Sequence, residues 1–134
     1  MGLDQYVYTV PTELVGDLEV DLDIKDEEGY LLSGKEFAYW RKFNSLHGWM
    51  RDLYLEKAGK DPIFNCNTVR LLPKDLDKLQ VAAEQKTLKP TPGFFFGDTS
   101  SPFSDGDRDN ILEFIGEARK AIEKNLAIVY ESFW

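Results

Sequence analysis

His47 is the single histidine of the chain, and Trp40, Asn44 and Arg51 flank it at spacings that a helix would gather. Plotted at about 100° per residue, the four side chains fall within roughly 60° of one another. An indole to stack on, an amide and an imidazole to hydrogen-bond, and a guanidinium for phosphate are what a nucleotide-sized ligand needs. The same residues also fit a helix border, with amphipathic side chains covering a sheet edge and His47 making one buried hydrogen bond. Arg41 and Lys42 point away from this rim, toward solvent or toward acidic residues of the 17–28 segment. A second group is Phe94, Phe95 and Phe96 between Gly93 and Gly97, which reads either as a platform for a planar ring or as a buried strand. A third is Asp17, Glu19, Asp21 and Asp23, alternating with Leu18, Val20, Leu22 and Ile24. Such a row of carboxylates suits a divalent cation, imitates a phosphate backbone toward a nucleic-acid-binding protein, or keeps an edge strand from aggregating. No EF-hand spacing, GxSxG elbow or Cys–His motif accompanies these groups, so binding without turnover is expected, and a hydrolase using His47 is the catalytic alternative.

The elements that must position these residues follow from periodicity. Residues 5–10 are β-branched and aromatic and stop at Pro11, a first strand. Residues 17–24 alternate acid and aliphatic, the period of a strand with one buried face. From Glu36 to about Ala58 the apolar positions Tyr39, Phe43, Leu46, Trp49, Met50, Leu53 and Tyr54 share one side, predicting a long amphipathic helix closed by Gly59 and Pro62. Gly48 lies on its polar side, at a cost of ~1 kcal/mol relative to alanine. Residues 67–72 read as a strand. Pro73 opens a helix with Leu76, Leu79 and Ala83 inside. A third helix spans about 107–124, capped by Ser104 or Asp105, with Ile111, Phe114, Ile115, Ala118 and Ile122 on one face and Asn125 at its end. Residues 127–134 form a docked terminal strand. The expected fold is a single α+β domain over residues 1–134, a small antiparallel or mixed sheet with about three helices packed on it.

Composition narrows the function classes. The 134 residues suffice for one domain with its own core, and the 43% hydrophobic content argues against disorder. A net charge of −8 opposes general nucleic-acid or anionic-membrane binding. The lone cysteine, Cys66, excludes an intrachain disulfide and reads as a small buried hydrophobe. No apolar run approaches the ~20 residues of a membrane span, and no signal-peptide layout is present, so a soluble protein of the cytoplasm is expected. Met1-Gly2 is not a myristoylation site, because Tyr6 stands where serine or threonine is required. The C-terminal strand or the acidic strand would serve to pair two copies.

Four blocks taken together resemble a family of small bacteriophage proteins of unassigned activity. They are Met1–Tyr6 (MGLDQY), Ala38–Lys42 (AYWRK) with Asn44, His47 and Trp49, Pro92–Gly97 (PGFFFG), and Val129–Trp134 (VYESFW). Some family members carry the label phosphoglycerate kinase. That activity needs two nucleotide-binding lobes and about three times this length, and no GxxxxGK[ST] loop exists here. The resemblance implies a phage origin and a common fold. It does not extend to the acidic 17–28 segment. With the Trp40–Asn44–His47–Arg51 rim, it leads to the expectation of a non-catalytic accessory protein in the cytoplasm of an infected host. That protein would need no cofactor or metal and would sequester a nucleotide-derived immune signal. The alternative is an inhibitor that docks its acidic 17–28 face on a basic host defence or nucleic-acid enzyme.

Overall fold

The computed structural model describes residues 2–22, 27–28, 34–100 and 102–134. Among them, four strands form one antiparallel sheet: β1 (Asp4–Pro11), β2 (Lys35–Arg41), β3 (Thr68–Leu71) and β4 (Leu126–Phe133), in the order β2-β1-β4-β3. The helices are α1 (Thr12–Val15), α2 (Asn44–Glu56), α3 (Pro73–Glu84) and α4 (Asp105–Glu123). The chain is thus an α+β domain, and no helix among the described residues is long and apolar enough to cross a membrane.

The terminal strand takes a central place because its residues suit burial on both faces. β4 pairs with β1 from Asp4↔Phe133 to Pro11↔Leu126, and its other edge carries β3. Ile128 and Tyr130 point to the helix side, where they meet Val7, Leu46, Met50, Leu76, Leu79, Ile111 and Ile115. Each such side chain contributes about 1.5–3 kcal/mol by leaving water. Ala127 and Val129 point to the opposite side and pack with Val10, Val15 and Leu22 under α1. α3 and α4 start where proline and serine chemistry places them. Pro73 stands in the first turn of α3, and Ser104 caps α4 by accepting from the Asp107 N–H at 3.1 Å.

Two expected elements are replaced. The helix expected from Glu36 to Ala58 is a strand followed by a shorter helix. Phe37, Tyr39 and Trp40 are strong strand formers with a partner available in β1, and the pairing Asp4↔Arg41 through Val7↔Ala38 outweighs the helical period that Tyr39 and Phe43 happened to satisfy. Lys42, at φ +56°, turns the chain between the two elements. Of the strand expected at 17–24, residues 23 and 24 lie outside the described residues, and 17–22 hold only an isolated bridge, Val20↔Val69, with Asp21 at φ +48° off the extended path. This segment still closes one sheet edge: the Arg70 N–H donates to the Glu19 carbonyl at 2.7 Å and the Asp21 N–H to the Thr68 carbonyl at 3.0 Å. Residues 94–96 lie in a loop. Cys66 is exposed, at φ +66°, where burial was expected.

Candidate functional site

The helical rim does not exist as one surface. Trp40 belongs to β2, whereas Asn44, His47 and Arg51 belong to α2. Asn44 is buried and its amide is consumed: Nδ2 donates to the carbonyls of Phe96 at 3.2 Å and Asp98 at 3.1 Å, and Oδ1 accepts the Thr91 N–H at 2.9 Å. It ties the 90–98 loop to the first turn of α2. Gly48 is buried against the same loop, since a Cβ there would lie 1.9 Å from Thr91 Oγ1. That close approach is why a glycine sits in the middle of α2.

His47 has no exposed surface. Its Nδ1 lies 2.9 Å from the Tyr130 hydroxyl, which in turn accepts from Gln5 Nε2 at 3.1 Å. Burial pushes the Tyr130 pKa far up, so its hydroxyl stays protonated, and which partner donates in the bond to Nδ1 follows the imidazole tautomer. His47 packs among the rings of Phe64, Phe96 and Trp134, and its Nε2 has no hydrogen-bond partner among the described residues. Burial first, and then the Arg51 charge, lower its pKa to about 3. A base with one nitrogen occupied and the other shut behind aromatic rings reaches no substrate, which removes the hydrolase reading of His47.

The phenylalanine run is likewise split. Phe94 is 94% exposed, Phe95 is half-buried and Phe96 is buried against Trp134 and His47. Phe94 and Phe95 meet edge to face, with ring centroids 4.7 Å apart, so they offer no flat platform. Of the acidic row, Asp17 is exposed, while Glu19 pairs with Lys57 at 2.9 Å. Asp21 accepts from the Tyr54 hydroxyl at 2.7 Å and from Asn67 Nδ2 at 3.1 Å. Asp23 lies outside the described residues. The carboxylates of Glu19 and Asp21 thus serve the fold and do not present one acidic face.

What the structure brings together is a cleft of about 390 Å³ where β2 runs into α2 and α4 begins. Trp40 forms one wall, with its Nε1–H donating to Asn110 Oδ1 at 2.7 Å and its ring edge-on to Phe114 and Phe43. Phe43 stacks on Phe103, 6.5 Å between centroids, to form another. Arg41 and Lys42 are exposed, as expected, and both also line this cleft. The Arg41 guanidinium is held by Asp4 at 2.8 Å, and the Tyr39 hydroxyl bond first, then Arg41, keep that carboxyl below the usual range. The Lys42 ammonium has no ion pair among the described residues. The acidic lining groups are engaged: Asp107 accepts from the Ser104 N–H, and Asp98 from the Ser100 N–H and hydroxyl.

α2 opens onto this cleft with Phe43 at its cap position, no capping side chain and no acid in its first turn, unlike α4. Its first amides and the positive end of its dipole favour an anion there. Of the expected binding residues, Trp40 and Asn44 line the cleft, while His47, Arg51, Phe94, Phe95 and Phe96 do not. Lys42, Phe103 and Asn110 were missed. The available signal was Phe103, an aromatic isolated in a polar loop. Among the described residues no group of three or more His, Cys, Asp or Glu stands ready to hold a metal ion. No family model, curated protein or solved structure matches this chain.

Proposed function

We propose that this protein binds, without turnover, a small ligand that combines an aromatic ring with an anionic group, and that the Trp40–Phe103 cleft is its site. The observation that carries the proposal is the meeting of the Trp40, Phe43 and Phe103 rings with a Lys42 ammonium that has no ion pair among the described residues, around about 390 Å³, within the usual size range of small-molecule sites. The rings supply faces for a base, and Lys42 and the uncapped start of α2 supply charge for a phosphate. A nucleotide-derived signal has this chemistry. With the resemblance to small phage proteins, the reading becomes sequestration of a host immune signal in the cytoplasm of an infected cell. Glu19 and Asp21 are engaged within the fold, so the acidic-face inhibitor is the weaker reading.

The test is native mass spectrometry of the protein purified from infected bacteria, followed by denaturation and identification of what is released. A stoichiometric, phosphate-bearing aromatic compound recovered intact is expected. Lys42→Ala and Phe103→Ala should each bind it about 10-fold less tightly, the loss of one charge-assisted hydrogen bond or one ring contact, while circular dichroism stays that of the wild type. Ligand-free protein, a ligand recovered as cleavage products, or undiminished binding in both variants would refute the assignment.

A further inference from the structure

The two edges of the sheet are treated differently. At β3 the edge is closed by the Glu19 and Asp21 backbone, whereas β2 pairs on one side with β1 and on the other with no strand among the described residues. The Lys42 N–H donates to the Leu3 carbonyl at 2.8 Å, which places pairs 3/42, 5/40 and 7/38 in the hydrogen-bonded class of the β1–β2 ladder. By alternation, the N–H and C=O groups of Tyr39 and Arg41 then point outward. A bulge beside Val7 and Tyr8 limits the regular free edge to this stretch.

Beside that edge, on the helix side, runs a second groove of about 390 Å³ between β2 and α4. Phe37, Trp40 and Phe114 make its floor, Glu113 and Glu117 stand along its α4 side, and none of the described residues lining it is basic. Glu117 meets only the exposed Lys120, at 3.3 Å, and Glu113 has no ion pair among the described residues. A strand added to β2 would turn every second side chain into this groove. Lysine or arginine there would lay its stem on the rings and bring its charge to the glutamates. A second copy of this chain fits poorly, because two-fold pairing of β2 sets the Glu113 and Glu117 rows of both copies close together, in molecules each carrying −8.

We propose that the β2 edge, from Tyr39 to Arg41, accepts an extended segment of a partner polypeptide as a fifth strand, with basic residues at alternate positions facing Glu113 and Glu117. This interface adjoins the small-ligand cleft, since Trp40 and Asn110 line both hollows and Arg41 ends the edge at the cleft, but it does not use Lys42 or Phe103. The test is amide hydrogen exchange of the full chain with a synthetic peptide of alternating lysine and valine, set against its alternating glutamate–valine counterpart. The lysine peptide is expected to slow exchange at the Tyr39 and Arg41 amides at least tenfold, with no effect from the glutamate peptide. Glu113→Gln combined with Glu117→Gln should weaken binding about 3- to 10-fold. The lysine peptide N-methylated at alternate backbone positions, on its pairing edge, should not bind. Unchanged exchange at Tyr39 and Arg41 under saturating peptide would overturn the proposal. So would binding that survives the N-methylation, or a free protein that sediments as a dimer with both amides already protected.

Discussion

Gly48 and Gly116 lie in helix interiors, and alanine at the two should act in opposite directions. At Gly116 in α4 nothing lies within 4 Å of a new Cβ, so the exchange keeps only the propensity gain and should stabilise the fold by about 1 kcal/mol. At Gly48 the same gain is opposed by Thr91, whose Oγ1, Cβ and Cγ2 would stand 1.9, 2.9 and 3.2 Å from the new methyl. Rotating the threonine exchanges one contact for another, so the loop must withdraw by about 1 Å or more, stretching the 2.9 Å bond from the Thr91 N–H to Asn44. Strain of this kind costs about 1–3 kcal/mol, and the weakened hydrogen bond about 1 more. The net loss for Gly48→Ala is therefore about 1–3 kcal/mol, and the two variants should differ by about 2–4 kcal/mol. Equilibrium urea unfolding followed by tryptophan fluorescence measures both, with Thr91→Ala in the Gly48→Ala background recovering part of the loss. If Gly48→Ala stabilises as much as Gly116→Ala, the 90–98 loop does not rest on α2 and the account of this glycine is wrong.

Two further predictions concern the same region. Asn44→Ala strands the Phe96 and Asp98 carbonyls and the Thr91 N–H; it should cost about 2–3 kcal/mol and make the 89–98 loop the first site of limited proteolysis. His47 is neutral when folded, with a pKa lowered from 6.5 to about 3, so the unfolded chain takes up a proton first as pH falls. Its contribution to stability is complete above pH 6.5 and is lost progressively toward pH 3, by about 2 kcal/mol at pH 5. His47→Gln should flatten the stability profile between pH 6.5 and 5, and an unchanged slope in that variant would show that other groups set the acid sensitivity.

Much of the fold was legible because it depends on local chemistry. Pro73 and Ser104 mark helix starts through backbone groups they lack or satisfy, and Leu76, Leu79, Ile111 and Ile115 reveal buried faces by spacing alone. The strand at the C-terminus was readable from β-branched and aromatic content. Errors arose where two periods overlapped. Tyr39 and Phe43 fit a helical stripe with Leu46 and Met50, yet Ala38, Tyr39 and Trp40 had strand partners far earlier in the chain, at Val7, Tyr6 and Gln5, and pairing is a non-local term that spacing does not contain. Asp17–Ile24 alternates as a strand does, but Asp21 takes φ +48° and turns its carboxylate to Tyr54 and Asn67, contacts that lie outside its own segment.

The candidate site shows the same division. Residue type alone determined that Trp40 and Asn44 had chemistry to offer, that one histidine was available, and that no catalytic motif accompanied it. The tertiary structure decided how each is used. It buried the His47 imidazole beneath Phe96 and Trp134, spent the Asn44 amide on a loop, and set Trp40 beside Lys42 and Phe103. It also left Tyr39 and Arg41 on a sheet edge that no other strand among the described residues covers. Periodicity along the chain specifies which way a side chain points within its own element, whereas a cleft exists only where separate elements meet, at distances set by packing.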